Sequence, residues 1–152
     1  MRVGVIGGGT IARLLLEHMR GGDLGTIEVV AIAGRSNASR GQALAAQFSV
    51  PFVTDIEALL ACKPDVVVEA ASHAAVHAYG GRLLSSGVTL IVLSGGALAD
   101  DALRTMLEKT AAQHGTLLYV PSGGIGGLDA LKAAIIERHN VILRCLDQPQ
   151  PL

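Results

Sequence analysis

The sequence predicts an α/β protein, a doubly wound sheet of parallel strands with helices on both faces, and three observations predict it. Short runs rich in β-branched residues alternate with longer amphipathic segments along the 152 residues. Two of those runs are continuously apolar, "VVV" at 66–68 and "LIVL" at 90–93, which is how a strand reads when crossover helices cover both of its faces. The first run leads straight into a glycine cluster and a helical pattern, "VGVIGGGTIARLL", the beginning of a strand-turn-helix unit.

The elements follow in order. A strand at 2–6 precedes a helix at 10–20, and a strand at 27–33 precedes a helix at 39–48. A short helix at 55–61 leads to a strand at 64–70, then a helix at 73–86, a strand at 88–93, a helix at 99–114 and a strand at 115–120. Asp55 and Ser72 are placed to N-cap the helices after them, because their short side chains can accept from the free N–H groups of a first turn. Gly87 and Gly115 stand where glycine ends a helix. A domain boundary is expected near Pro121. It separates a sheet domain at 1–122 from a connecting helix and the first strand of a second domain at 123–152.

Half of the residues are hydrophobic, enough for one ordinary core. Twelve basic against thirteen acidic residues give a net charge of −1, so nothing favours a nucleic acid or a membrane as partner. Cys62 and Cys145 lie far apart and form neither a disulfide framework nor a zinc motif, which fits a reducing cytoplasm. The start, "MRVGVIGGG", has no signal-peptide pattern, and no apolar run approaches the length that crosses a bilayer.

The chemistry begins at Gly7, Gly9 and Ala12, which form G-x-G-x-x-A after a strand and at the head of a helix. Gly7 permits the tight turn, Gly9 lets backbone approach a pyrophosphate, and Ala12 lets the helix pack closely on the sheet. With Thr10 and Ile11 they open a helix whose exposed N–H groups and positive dipole end attract a diphosphate. This is the dinucleotide-binding pattern of a Rossmann-type sheet. At the end of the second strand, where a carboxylate commonly bonds the ribose hydroxyls of NAD, the chain carries Gly34, Arg35 and Ser36. A guanidinium and a hydroxyl can hold a 2′-phosphate, with a charge-assisted hydrogen bond worth about 1.5–3 kcal/mol. The expected cofactor is therefore NADP or NAD, with NADP accepted; Arg40 either assists or faces solvent.

Ligands of open α/β sheets collect beyond the carboxyl ends of the strands, which directs attention to "EAASHAAV" after the third of these long strands and "SGGALAD" after the fourth. Ala71, Ser72 and His73 in the first loop, and Ser94, Gly96 and Ala97 in the second, are the candidate contacts for the rest of a nicotinamide dinucleotide. His73 and His77 are four apart on a helix, a spacing compatible with metal, but no third ligand accompanies them and no metal is expected. Either one histidine lines the cofactor cleft or both sit on a wet helix face. His18, His114 and His139 read as surface or helix-end residues.

"VVVEAASHAAVHAYGGRLLSSGVTLIVLSGGALAD" and "PSGGIGGLDALKAA" together resemble the L-aspartate dehydrogenase family. That family shows a V-E-C-A-[SG] loop, an S-x-G-A-L turn and a P-[S]-G-A-I-G-[GA]-[LI]-D-A-L segment in this order. The resemblance covers residues 2–134, with Ala70 in place of the frequent Cys and Gly124 in place of Ala. It implies that Gly123 and Gly124 approach the nicotinamide end of the cofactor, and that Gly126, Gly127 and Asp129 start the helix leading to a substrate domain. It also implies oxidation of L-aspartate to iminoaspartate by hydride transfer to NAD(P), in the service of NAD biosynthesis, with a small amino-acid substrate.

Members of that family continue well past this length with a substrate sheet, a catalytic histidine and much of a dimer interface. The present chain is thus expected to be the cofactor-binding half, truncated relative to the family and inactive alone. No catalytic residue is assigned. An apolar face at 125–146 favours a homodimer or larger homo-oligomer. The alternatives are another two-domain oxidoreductase, such as homoserine dehydrogenase, or a non-catalytic NADP(H)-binding or redox-sensing module. A sugar dehydrogenase of the Gfo/Idh/MocA type is disfavoured because Ser94, Gly95 and Gly96 stand where those enzymes show E-K-P.

Overall fold

A computed structural model describes residues 1–21, 25–36 and 40–121. Six parallel strands lie in the order β3-β2-β1-β4-β5-β6. They are β1 (Arg2–Ile6), β2 (Glu28–Ala33), β3 (Phe52–Val53), β4 (Val66–Glu69), β5 (Thr89–Val92) and β6 (Leu118–Tyr119). The helices are α1 (Thr10–Gly21), α2 (Arg40–Phe48), α3 (Ile56–Ala61), α4 (His73–Ser85) and α5 (Asp101–His114), with a 3-10 turn over Gly95–Ala99. The chain winds outward from β1 through β2 to β3, then returns and winds the other way from β4 to β6. β1 and β4 stay paired to their last residues, Ile6 beside Glu69, but the connections that leave their carboxyl ends run in opposite directions and leave a crevice, the place where such sheets bind ligands.

Alternation along the strands sends apolar side chains into two cores. Val3 and Val5 of β1, Ile32 of β2 and Val68 of β4 meet Ala12, Leu16 and Met19 of α1 and Leu44 and Ala45 of α2 on one face. On the other, Ala31, Ala33, Val67, Leu90 and Val92 meet Leu59 of α3, Val76, Leu83 and Leu84 of α4, and Leu103 and Leu107 of α5. The low aromatic content suits this arrangement, because glycine and alanine let helices approach the sheet. At Gly80 an added Cβ would lie 2.9 Å from Leu107 Cδ2, so α4 and α5 are in contact at that point. Leu107 is fully buried, and Leu107→Ala should lower the unfolding free energy by about 3 kcal/mol, checked by denaturant melts.

The expected punctuation is present. Asp55 accepts from Ala58 N–H at 2.7 Å, and Ser72 accepts from Ala75 N–H at 3.3 Å. Gly115 ends α5 at φ 65°, and Gly87, at φ 83°, follows the Ser86 cap of α4. Arg82 of α4 donates to both carboxylate oxygens of Glu57 on α3, at 2.6 and 2.7 Å. Those bonds hold the Glu57 carboxyl below its ordinary value. Whatever stability this exposed pair contributes is present above the unfolded carboxyl's pKa and is lost as pH falls through the lowered folded one.

Three readings of the sequence need correction. A sixth strand, β3, follows Pro51; with two residues it is too short to show alternation. The last helix starts at Asp101 rather than 99, because Gly95–Ala99 form a separate turn and Asp100 caps α5 through Ala102 and Leu103 N–H. The last strand is Leu118–Tyr119 rather than 115–120. Gly115 belongs to the helix end, and Thr116 turns inward to donate to Leu84 O. No helix among the described residues is long and apolar enough to cross a membrane. Gly123 and Gly124, the boundary at 122 and the apolar face at 125–146 lie outside the described residues.

Candidate dinucleotide site

The turn from β1 into α1 sits at the crevice, and its three consecutive glycines have different work. Gly7 stands at φ 118°, a conformation side chains rarely adopt, and a Cβ there would lie 2.5 Å from Ala70 O. Gly7 N–H donates to Ala33 O at 2.9 Å and Ala70 N–H to Ile6 O at 2.8 Å, so the turn is fastened to β2 on one side and β4 on the other. At Gly8 a Cβ would fall 2.2 Å from Gly41 N, where the β1–α1 turn touches the first turn of α2 backbone to backbone. At Gly9, by contrast, nothing lies within 4 Å of the Cβ position. The first two glycines are needed for packing, and the third leaves an opening.

That opening belongs to a cleft of about 650 Å³. Its floor is Ile6 and Gly7–Gly9, and Ala70, Ala71 and Ser72 from the β4–α4 loop form one wall with Ala74, Ala75, Ala78 and Tyr79 of α4. Ala33, Gly34, Arg35 and Ser36 from the end of β2, Arg40 and Gly41 of α2, and Thr54, Asp55 and Ile56 complete it. α1 has no acidic residue in its first turn, so its positive end is uncompensated by its own side chains. Asp55 is already engaged as the cap of α3. Arg35 and Arg40 therefore leave the β2 end of the cleft rich in positive charge.

The structure brings Gly7, Gly9, Gly34, Arg35, Ser36, Ala71 and Ser72 together around this one space. Ala12 is completely buried beneath the turn, consistent with a close-packing role, whereas Thr10 and Ile11 are exposed at the helix head outside the cleft lining. His73 and His77 are exposed and absent from the lining; a Cβ on Gly96 would lie 2.8 Å from His73 Nε2, so His73 packs against the turn after β5. Ser94, Gly96 and Ala97 lie on that turn, beside the cleft rather than in its wall, with Ala97 buried. Sequence reasoning missed Gly8, Gly41, Thr54, Ile56, Ala78 and Tyr79. Only Gly8 carried a signal, as the middle of three glycines.

A six-stranded parallel sheet with a glycine-floored cleft at its switch point defines a Rossmann-type dinucleotide-binding domain. The family model of the homoserine dehydrogenase NAD-binding domain matches residues 4–121, and the chain belongs to that family. The resemblance to L-aspartate dehydrogenases is also borne out. L-aspartate dehydrogenase 1 of Bordetella pertussis is 41% identical over 88% of this chain and 49% of its own. L-aspartate dehydrogenase of Methanospirillum hungatei is 33% identical over 100% of this chain and 58% of its own. The crystal structure of aspartate dehydrogenase from Thermotoga maritima matches with a TM-score of 0.63 at 30% identity, over 88% of this chain and 50% of that one. The chain spans about half the length of the relatives it matches.

Proposed function

We propose that this chain is the cofactor-binding part of an NAD(P)-dependent L-aspartate dehydrogenase, and that its cleft takes NADP(H) in preference to NAD(H). The observation that carries the reading is the open backbone at Gly9, facing the cleft at the head of a helix with no acid in its first turn. Gly7 and Gly8 fix the path of the turn, and the N–H groups at the head of α1 can then donate to a diphosphate. Arg35, Ser36 and Arg40 line the β2 end, where the adenosine ribose of a dinucleotide belongs, and can donate to a 2′-phosphate. Ala71 and Ser72 offer small side chains over which the other half of the molecule extends. When bound, the nicotinamide ring supplies the hydride acceptor; the protein's part is to seat and orient it.

The similarity to aspartate dehydrogenases supports aspartate as the substrate of the whole enzyme, and homoserine dehydrogenase remains the alternative that the family description favours. Because the chain has no Trp, the fluorescence of added NADPH or NADH can be followed without an indole background. Titration should show saturable NADPH binding at least about tenfold tighter than NADH, the equivalent of one charge-assisted hydrogen bond. Equal affinities would remove the NADP preference, and no binding of either would remove the whole reading.

A further inference from the structure

Glu69, the last residue of β4, has the least accessible carboxylate among the described residues, at 1% exposure. Its Oε1 accepts from Ala71 N–H at 2.7 Å, Ser72 N–H at 2.8 Å and Ser94 Oγ at 3.0 Å, and its Oε2 accepts from Ser94 N–H at 3.1 Å. It forms no ion pair among the described residues. Val66, Val67 and Val68 precede it, so a strand needing only to fill its core has an apolar solution at hand, and a buried carboxylate costs desolvation that such a residue avoids. The four hydrogen bonds make a different use of the position. They fasten the β4–α4 loop to the β5 turn, and His73 packing against Gly96 is a second contact between the same two loops.

On the reading above, the diphosphate lies at Gly7–Gly9 and the 2′-phosphate end at β2, so the nicotinamide half must run the opposite way, across the carboxyl ends of β4 and β5. We propose that Glu69 is the positioning residue for that half: one carboxylate sets the distance between the two loops the nicotinamide ribose crosses, and leaves the adenosine end untouched. Glutamine at this position separates the two functions. Its carbonyl can still accept from Ala71 N–H, Ser72 N–H and Ser94 Oγ, but its NH₂ then meets Ser94 N–H, donor against donor, and the β5 turn loses one of its two bonds to this side chain.

Adenosine 2′,5′-bisphosphate, which lacks the nicotinamide half, is the control ligand. In the full 152-residue chain, Glu69→Gln should weaken NADPH about tenfold while changing the affinity for the bisphosphate by less than about twofold. Ser94→Ala, which removes one donor and leaves the carboxylate satisfied by backbone, should move the same ratio in the same direction by a few fold, and decides the matter if the glutamine variant does not fold. Equal losses for both ligands, or no loss for either, would show a purely structural carboxylate and overturn the proposal with the cofactor reading intact. A wild-type chain that bound neither ligand would overturn both.

Discussion

Alanine at Gly7 should cost the domain about 3 kcal/mol or more and lower its melting temperature by more than about 10 °C. Two penalties combine there: a φ of 118° strains any residue with a Cβ, and that Cβ would stand 2.5 Å from Ala70 O, a backbone atom that cannot rotate away. Relief would require β4 and its loop to retreat from β1, breaking the bond from Ala70 N–H to Ile6 O. Gly9→Ala should have the opposite profile. With no atom within 4 Å of the new methyl, the change costs about 1 kcal/mol or less, chiefly through a poorer helix start. Yet the methyl occupies the opening assigned to the diphosphate, and NADPH affinity should fall by at least about a hundredfold. Thermal melts and ligand titration on the two variants separate folding from binding at neighbouring positions of one turn.

Removing both guanidiniums from the β2 end of the cleft should be the second large effect. In the double variant Arg35→Ala, Arg40→Ala, NADPH should bind about a hundredfold more weakly, the sum of two charge-assisted hydrogen bonds, while NADH changes by less than about threefold. The same contrast should appear in salt: raising ionic strength weakens NADPH in the wild type more than in the double variant, because both cations are exposed at the cleft edge. Parallel losses for the two cofactors would mean that the arginines act on the fold or the diphosphate instead of the 2′-phosphate.

Much of this is legible in the sequence alone. Five of the six strands and all five helices carried periodic patterns, and Gly7 and Ala12 occupy the positions their motif implied. β3 escaped because two residues cannot display an alternation. Gly95–Ala99 reads partly as a loop and partly as the next helix; Ser94 stands at its N-cap position but makes no capping bond with its side chain, which donates to Glu69 instead. The site was harder. A single strand-to-helix turn writes its requirements in adjacent residues, so Gly7 and Gly9 were visible. Gly8 and Gly41 touch only after α2 has packed, and the wall formed by Thr54, Ile56, Ala78 and Tyr79 is assembled from two chain segments. Glu69 was read as one residue of a small-residue loop, although its bonds reach Ser94, twenty-five positions away, through the pairing of β4 with β5. Long-range satisfaction of a buried charge has no local pattern.

The most direct test of the diphosphate seat is a map of backbone amide shifts on adding NADPH to the isotopically labelled chain. The largest changes should fall at Gly8, Gly9, Thr10 and Ile11, with a second group at Gly34, Arg35 and Ser36, and Gly9→Ala should abolish both. Saturable shifts confined to other surfaces, with the head of α1 silent, would contradict that seat.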